Sequence, residues 1–466
     1  MKPFNKYALL AFPLLFWLAI CFGLGFDGRY GQDAYEYQRF AMALKNSMLT
    51  GQNPGDYFWG IYYPAVAALA DSVFNNMAVS LQFVSAVSLI ITTAYLQKLI
   101  RLIYRKTDEI PFLFFTLSPF VLVHSILAMS DLLACCFCVI AAYYFLKFAG
   151  RLTARFFLLG VVAAAFAFFT RYASAVILVP FAIYALVKLL RERQWLLLCV
   201  SLIAAMIIAV PHFLLRPHHP AEFLSHQWLL NWNPLNLIRN DFETIDGRMH
   251  YSTINLIYVL FSIFHPAFLF AGFFALPLFF SKVKKLSVNQ KMLLVAIGLY
   301  ALFLAGIPFQ NKRFLILSFP FIIALLYPAL SRMLGEGTQK KITFAIVATI
   351  QLLLTAYYLK PFVERNRLEQ RICAEMQQYE SATLYAFDID IAMKGRNMDF
   401  NYKSLWRDEL ANFTPNALIL VDARQIEKQW AGKNPEINWR RLNTNYRLAT
   451  IKSIANFTLY RIESKK

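Results

Sequence analysis

The sequence predicts an α-helical polytopic membrane protein with about eleven transmembrane helices and a small C-terminal α/β domain outside the membrane. Of its 466 residues, 59% are hydrophobic and only 16% are charged, whereas about a quarter of the residues of a soluble protein are charged. Uninterrupted apolar runs such as residues 195–210 and 292–309 match the roughly 20 residues of a membrane-spanning helix. These features exclude an ordinary soluble protein. After residue 359, however, the composition becomes that of a small soluble domain.

Apolar windows bounded by charge place the eleven spans. They cover residues 7–26, 77–97, 110–127, 132–149, 156–170, 174–190, 195–214, 254–280, 292–309, 314–331 and 342–359. The first window has a basic start but lacks a small-residue cleavage site, so we interpret it as an uncleaved span. An odd number of spans puts the two termini on opposite sides of the membrane.

The net charge of +19 has a topological explanation. The chain carries no nucleic-acid-binding signature, so we expect no nucleic acid partner. If the N-terminus is inside, 19 basic residues of the membrane part lie in inner segments and nine in outer segments. The positive-inside rule then predicts a cytoplasmic N-terminus and an extracytoplasmic C-terminal domain.

The chain divides into a membrane domain, residues 1–359, and a soluble domain, residues 360–466. Two outer loops are large, 27–76 and 215–253. The first contains a helix-like stretch from Asp33 to Thr50 with an apolar face, typical of an amphipathic interfacial helix. The second is rich in Trp, Asn and His. In the soluble domain we predict strands at 384–387, 417–421, 446–451 and 457–462 and a helix at 422–429.

Two acidic residues on the predicted outer face are candidates for chemistry, because ionisable groups near hydrocarbon are costly and therefore functional by default. Asp33 lies just outside the first span, and Asp131 opens the fourth. Each has a structural alternative as a helix N-cap, with Glu36 completing a capping box for Asp33 and Ser130 competing with Asp131. Two carboxylates at one face can act as a base and an orienting partner, or they can share a divalent cation.

The basic residues on the outer face depart from the positive-inside rule, and three of them lie next to span ends. Arg171 ends the fifth span, and Lys312 and Arg313 lie between the ninth and tenth. Snorkelling to lipid phosphate is one explanation. The other is a bound phosphate or pyrophosphate, for which Arg offers a bidentate fork and Lys a point charge.

Metal binding has little support in the sequence. His218, His219 and His226 do not have a standard zinc spacing. The cluster Cys135, Cys136 and Cys138 lies inside an apolar run, where a thiol behaves as a small hydrophobe. We therefore predict no metal site and no cofactor, apart from the cation that Asp33 and Asp131 could share.

The order of the motifs is informative. An outer segment Gly31-Gln32-Asp33-Ala34-Tyr35-Glu36-Tyr37 is followed by Tyr62-Tyr63-Pro64, by Asp131, by Thr170-Arg171-Tyr172 and by Lys312-Arg313-Phe314 before Pro320. This series resembles the C-type integral-membrane glycosyltransferases, in particular the bacterial group similar to protein mannosyltransferases and aminoarabinose transferases. The resemblance covers the membrane domain and extends loosely to the soluble tail.

The resemblance implies a hexosyl- or pentosyltransferase of the bacterial inner membrane. Its donor would be a sugar on a polyprenyl phosphate, and its acceptor a glycan, lipid or protein reached from the outer side. Asp33 matches the acceptor-activating base and Asp131 the second acidic position. Arg171, Lys312 and Arg313 match positions that contact the donor phosphate. The motif tyrosines are expected to contact substrate; they are Tyr35, Tyr63 and Tyr172.

Two other functions fit outer-face cations. A transporter or flippase of lipid-linked sugars would bind polyprenyl phosphate in the same way, although such proteins commonly show inverted repeats, and we find no paired pattern. A membrane polysaccharide polymerase would use the same cations but would not need the large outer domain.

Overall fold

Two structural units share the described chain. The computed structural model describes residues 6–106, 108–216, 224, 226–244, 247–282 and 286–466. The first unit runs from the start of the described chain to Gly28 and continues over Phe40–Ile238 and Thr253–Lys360. The second unit contains Arg29–Arg39, Arg239–Ser252 and Pro361–Lys466. Two segments from within the first 360 residues therefore belong to the same unit as the C-terminal tail.

Helices dominate the first 376 residues. They are α1 Lys6–Gly23, α2 Gly31–Thr50, α3 Tyr62–Phe74, α4 Met77–Tyr104, α5 Pro119–His124, α6 Asp131–Arg151, α7 Ala154–Thr170, α8 Ser174–Arg191, α9 Trp195–Leu214, α10 Gln227–Leu230, α11 Asn255–Tyr258, α12 Phe261–Phe264, α13 Gly272–Lys282, α14 Val288–Gly306, α15 Phe319–Leu334 and α16 Gly337–Met376. A π-helical turn covers Pro111–Thr116, and 3₁₀ turns cover Pro234–Ile238 and Lys312–Ile316.

Six helices of the described residues are long and apolar enough to cross a membrane: α4, α6, α8, α9, α14 and α16. Four shorter apolar helices cover Ala11–Gly23, Ala154–Thr170, Gly272–Ser281 and Phe319–Leu334. The predicted fold class is confirmed, but a count of eleven spans is not. The window 110–127 is divided between the π-helical turn and α5, and the window 254–280 between α11, α12 and α13.

The ends of these helices have local causes in the sequence. Asn76 caps α4 by accepting a hydrogen bond from the backbone N–H of Val79, and Ser287 and Gln290 form a capping box at the start of α14.

The helices differ in how much of their lateral surface is buried. More than half of the hydrophobic window of α4 is buried, whereas α9 exposes large apolar side chains such as Leu196, which is 78% exposed. An apolar exposed surface of this kind suits contact with lipid.

The second unit is built around a five-stranded mixed sheet with the order β4-β3-β5-β7-β6. Its strands are β3 Thr383–Ala386, β4 Asn401–Ser404, β5 Leu418–Val421, β6 Tyr446–Ile454 and β7 Phe457–Lys465. β3 pairs in parallel with β4 and β5, and β7 pairs antiparallel with β5 and β6. Helices α17 Ile389–Gly395, α18 Ala423–Gln429 and α19 Asn434–Asn445 connect the strands, and β1 Asp241–Thr244 and β2 Gly247–His250 form a separate hairpin.

Side-chain alternation along the strands creates two cores in this unit, because successive residues of a strand point to opposite faces. Leu384 and Leu418 on one face pack with Ile372 at the end of α16. Tyr385 and Ile419 on the other face belong to a separate core. The first core also includes Tyr35 from α2.

The four predicted strands and the helix at 422–429 are confirmed as β3, β5, β6, β7 and α18. The helical stretch from Asp33 to Thr50 is confirmed as α2. Strand β4 and helices α17 and α19 were not predicted.

Candidate functional site

Asp131 and Arg171 form an ion pair at the junction of two antiparallel neighbours. Asp131 is the first residue of α6, and Arg171 follows the last residue of α7. Arg171 Nη1 lies 2.7 Å from Asp131 Oδ1, and the two side chains are 13% and 1% exposed. The N-cap position belongs to Ser130, which makes no side-chain capping bond. The carboxylate of Asp131 therefore fixes a buried guanidinium and does not cap α6.

A second guanidinium, that of Arg313, contacts the same Phe314 ring as Arg171. The Cζ of Arg171 lies 4.8 Å from the centroid of the Phe314 ring, and the Cζ of Arg313 lies 5.7 Å from the same centroid. Arg313 Nη1 also contacts the sulfur of Met129 at 3.3 Å, two residues before Asp131. Cation–π contact of this kind holds a guanidinium over a ring without neutralising its charge.

Lys312 adds a third cation from the same short segment. Its Nζ lies 3.4 Å from Nε2 of His265 and 5.8 Å from the centroid of the Phe261 ring. In the part of the chain that the structure describes, no carboxylate lies at ion-pair distance from Lys312. Burial lowers the pKa of the Lys312 ammonium, because desolvation disfavours the charged form. An anion beside it would offset that effect.

Hydrogen bonds from α11 position the segment between α14 and α15 that carries Lys312 and Arg313. Asn255, on α11, donates to the carbonyls of Ala305 and Ile307 at 3.0 and 2.8 Å. Tyr258, one turn further, donates to the carbonyl of Asn311 at 2.6 Å. Both side chains are buried. No sequence pattern indicates these two residues, because a hydropathy window does not distinguish a buried polar side chain that binds backbone carbonyls.

Tyr172 lies beside a buried arginine, Arg216, that was not among the predicted site residues. Arg216 is 4% exposed, and its Nη1 donates to the Tyr172 hydroxyl at 2.9 Å. The same hydroxyl lies 3.3 Å from Nε2 of His212 and 3.2 Å from the carbonyl oxygen of Phe58. Arg216 is one of the nine basic residues on the predicted outer face, so the departure from the positive-inside rule that singles out Arg171 applies to Arg216 as well.

Tyr63 has a different environment. Its side chain is fully buried between α3 and α4, and its hydroxyl lies 3.0 Å from the carbonyl oxygen of Leu81 and 3.1 Å from Oγ of Ser85. These contacts are internal to the packing of two helices.

Asp33 and Tyr35 belong to the second unit. Helix α2 begins at Gly31, so Asp33 is inside its first turn and not at the N-cap, where the alternative interpretation put it. The proposed capping-box partner Glu36 instead accepts a hydrogen bond from Arg39 Nε at 2.8 Å. Asp33 is half-buried, whereas Tyr35 is 3% exposed and its hydroxyl donates to Glu369.

The histidines and cysteines considered as metal ligands provide little evidence for a metal site. His218 and His219 lie outside the described residues. His226 packs against the rings of Phe58 and Trp228, with centroids 5.3 and 4.7 Å apart. Among the described residues, no group of three or more His, Cys, Asp or Glu side chains is arranged to hold a metal ion.

Comparison with known proteins places this architecture. The family model described as dolichyl-phosphate-mannose-protein mannosyltransferase matches residues 60–214, the part of the chain that contains Asp131 and Arg171. No curated protein matches the chain.

Several solved structures share the fold. The crystal structure of ArnT from Cupriavidus metallidurans bound to undecaprenyl phosphate matches with a TM-score of 0.63 at 12% identity, over 98% of this chain and 97% of that one. The same enzyme in its apo state gives 0.62 at 11% identity, with the same coverage. The archaeal oligosaccharyltransferase AglB from Archaeoglobus fulgidus, in complex with an inhibitory peptide and a dolichol-phosphate, gives 0.50 at 12% identity, over 95% of this chain and 69% of that one.

These matches confirm the resemblance to the C-type membrane glycosyltransferases. The chain is a multi-pass membrane protein with an ArnT-like fold and a small C-terminal sheet domain.

Proposed function

We propose that the protein transfers a sugar from a polyprenyl-phosphate donor to an acceptor on the extracytoplasmic face of a bacterial inner membrane. The observation that carries this proposal is the group of three cations, Arg171, Arg313 and Lys312, at the ends of apolar helices. Lys312 in particular is a half-buried ammonium whose nearest polar partner is a histidine. Such an arrangement suits a lipid phosphate, which supplies negative charge and accepts several hydrogen bonds.

The proteins with the same fold support this choice of donor. The ArnT structure contains undecaprenyl phosphate, and the AglB structure contains a dolichol-phosphate. Both ligands are polyprenyl phosphates, and a phosphate of this kind is a good leaving group for a glycosyl transfer. The sugar and the acceptor stay open between a hexose or pentose on one side and a glycan, lipid or protein on the other.

In the proposed reaction, the acceptor oxygen forms a bond to the anomeric carbon while the bond between that carbon and the phosphate oxygen breaks. Asp33 takes the acceptor proton, and polyprenyl phosphate leaves with the electron pair of the broken bond. Lys312, Arg313 and Arg171 stabilise the charge that grows on the leaving phosphate. The assignment of Asp33 depends on its motif in the first outer loop. The proposed reaction uses no cofactor.

Asp131 has a different role in this proposal from Asp33. Its carboxylate is 1% exposed and already paired with Arg171, so it is poorly suited to accept a proton from an incoming acceptor. We assign it to holding the Arg171 guanidinium in place. Tyr172 stays a candidate for substrate contact beside Arg216, whereas the hydroxyls of Tyr35 and Tyr63 are buried and bond to groups of the protein itself.

The test is transfer of radiolabelled sugar from a polyprenyl-phosphate donor in proteoliposomes supplied with cell-envelope material as acceptor. We expect Asp33→Asn to abolish transfer, because an amide cannot accept the proton, while donor binding persists. Asp56→Asn is the matched control, since Asp56 is an exposed carboxylate of the same outer loop. Full transfer by Asp33→Asn would remove Asp33 as the base. Label that crosses the bilayer but never joins an acceptor would instead identify a flippase, and elongation of the lipid-linked glycan itself would identify a polymerase.

A further inference from the structure

The first turn of α2 is fixed by the C-terminal part of the second unit. Tyr35 lies in the core formed by the sheet and the end of α16. Its hydroxyl donates to the carboxylate of Glu369, a side chain that is 1% exposed on α16. Burial, and then the neighbouring carboxylate of Glu369, raise the pKa of the Tyr35 hydroxyl, so this group stays protonated and keeps its donor role.

Glu369 is itself held by two arginines. Arg365 Nε donates to Oε1 of Glu369 at 2.8 Å, and Arg396 Nη2 lies 3.5 Å from Oε2. Arg365 also pairs with Asp388 at 3.0 Å. The acceptor of the Tyr35 hydroxyl is therefore anchored on both of its oxygens, as a buried carboxylate requires.

A second contact fixes the same face of α2. Gln38 Nε2 and Arg29 Nη1 each donate to the carbonyl of Gly395 at 3.1 Å. Gly395 also lies against the Tyr35 ring so closely that a Cβ there would be 2.2 Å from Cδ1. Tyr35 and Gln38 are three residues apart and share one face of the helix.

Helix geometry transmits these contacts to Asp33. At 3.6 residues per turn, two residues that are two apart differ by about 200° around the axis. Asp33 therefore projects from the side of α2 opposite to the one that Tyr35 fixes. The first turn of a helix lacks intrahelical partners for its N–H groups and frays easily. Gly31 opens α2 with a φ of +68°, so the chain turns sharply at this residue. Gly31 also has no side chain that could stabilise the first helical turn.

We propose that Glu369 is a positioning residue, which orients the base Asp33 through its hydrogen bond with Tyr35. The second unit then both carries the proposed base and positions it. This inference rests on the proposed function, because it takes Asp33 as the base. Displacing a reacting group by about 1 Å lowers rates by about 100-fold, so a loose first turn would reduce kcat while leaving donor binding unchanged.

The experiment measures kcat, KM for the lipid-linked donor and the melting temperature for Tyr35→Phe, Glu369→Ala and the double variant. We expect Tyr35→Phe to lower kcat about 10-fold or more, with the donor KM within about twofold and little change in melting temperature, because only a hydroxyl is removed. Since both single variants break the same bond, the double variant should lose no more than the worse single variant.

Two matched controls separate positioning from general damage. Glu375 is on the same helix as Glu369 and pairs with Lys452 at 2.5 Å, outside the network of Tyr35. Tyr402 packs against the same core and donates to the carbonyl of Met398 at 3.1 Å. Glu375→Ala and Tyr402→Phe should both keep the wild-type kcat.

The outcomes are distinguishable from those of the proposed function. If Asp33→Asn abolishes transfer but Tyr35→Phe retains full kcat, Asp33 stays the base and the positioning role is overturned. The same holds if Tyr35→Phe changes only KM. If Asp33→Asn is itself fully active, the base assignment fails, and the inference fails with it. Should Glu369→Ala not fold, Tyr35→Phe still decides the matter.

Discussion

A buried charge is costly without compensation, and the carboxylate of Asp131 compensates the guanidinium of Arg171. Removing one partner of such a pair leaves an uncompensated buried charge, which destabilises a protein by about 3–5 kcal/mol, whereas replacing both partners by apolar side chains is often neutral. Asp131 and Arg171 are both largely shielded from solvent. The stability and the function of this pair can therefore be separated by mutation.

We predict that Asp131→Ala lowers the melting temperature of the purified protein, and that the double replacement Asp131→Leu with Arg171→Met restores it without restoring donor binding. Thermal unfolding and binding of a labelled polyprenyl phosphate provide the two measurements. Asp241→Asn is the control, because its partner Arg248 is exposed and exposed pairs contribute little. Normal donor binding by the double variant would show that Arg171 serves stability alone.

If Lys312 binds the donor phosphate as proposed, donor binding should depend on pH. Burial lowers its pKa, so in the free protein the ammonium loses its proton at a lower pH than an ordinary lysine does. Only the protonated form attracts a phosphate, and donor affinity should therefore fall as the pH rises through the pKa of Lys312.

The replacement Lys312→Arg should remove this alkaline fall, because a guanidinium stays protonated over the whole range. Donor affinity is measured between neutral and alkaline pH for the wild type and the variant. Lys45→Arg is the control, since Lys45 pairs with Asp71 at 2.7 Å. An equal alkaline fall in Lys312→Arg would assign the titration to another group.

At the scale of elements, hydropathy located the apolar segments but did not show where the helices within them break. The windows at 110–127 and 254–280 have the composition of spans, yet each is interrupted. Pro119 opens α5 just after the π-helical turn, and a proline removes a donor and fixes φ, which favours a new helix start. A window average cannot detect that break, because most residues around Ser118 and Pro119 are apolar.

In the soluble domain, too, the elements with a strong sequence pattern were predicted and the elements without one were not. β3 and β5 are short buried strands with a continuous apolar pattern, so the sequence predicted them. β4 alternates between exposed and half-buried residues at the sheet edge, and α19 is mostly polar, so neither has a strong periodic signal. Tyr35 and Glu369 are 334 positions apart, and no local pattern relates them.

The candidate site was predictable only where charge and hydrophobicity conflict. Arg171, Lys312 and Arg313 were selected because a cation at an apolar helix end needs an explanation. In the structure, Arg171 pairs with Asp131, Arg313 contacts the same Phe314 ring as Arg171, and Lys312 precedes Arg313 in the chain. Asn255 and Tyr258 carry no charge and act through backbone carbonyls, so their role depends on the folded path of the segment that ends α14. Their identification required the structure.

At the scale of the whole molecule, the distribution of charge predicts orientation. One group of helix ends carries the candidate site. It contains the start of α6 with Asp131, the end of α7 before Arg171, and the end of α14 before the segment of Lys312. The opposite ends carry most of the basic residues, in agreement with the 19 inner and nine outer positions of the membrane part. Because basic segments next to spans are retained in the cytoplasm, Arg171, Lys312 and Arg313 should lie on the extracytoplasmic side, where the proposed transfer takes place.

This orientation makes a prediction that fusions in a bacterial host can test. A phosphatase that is active only outside the cytoplasm should be active when fused after Lys466 and inactive when fused after Arg193 or Lys341. A fluorescent reporter that matures only in the cytoplasm should give the reverse pattern, which controls for expression. The reason is that Arg193 and Lys341 lie in basic segments predicted to stay inside, whereas the tail follows the last span. Phosphatase activity at Arg193 together with none at Lys466 would invert the molecule, place Arg171 and Lys312 in the cytoplasm, and contradict transfer on the outer face.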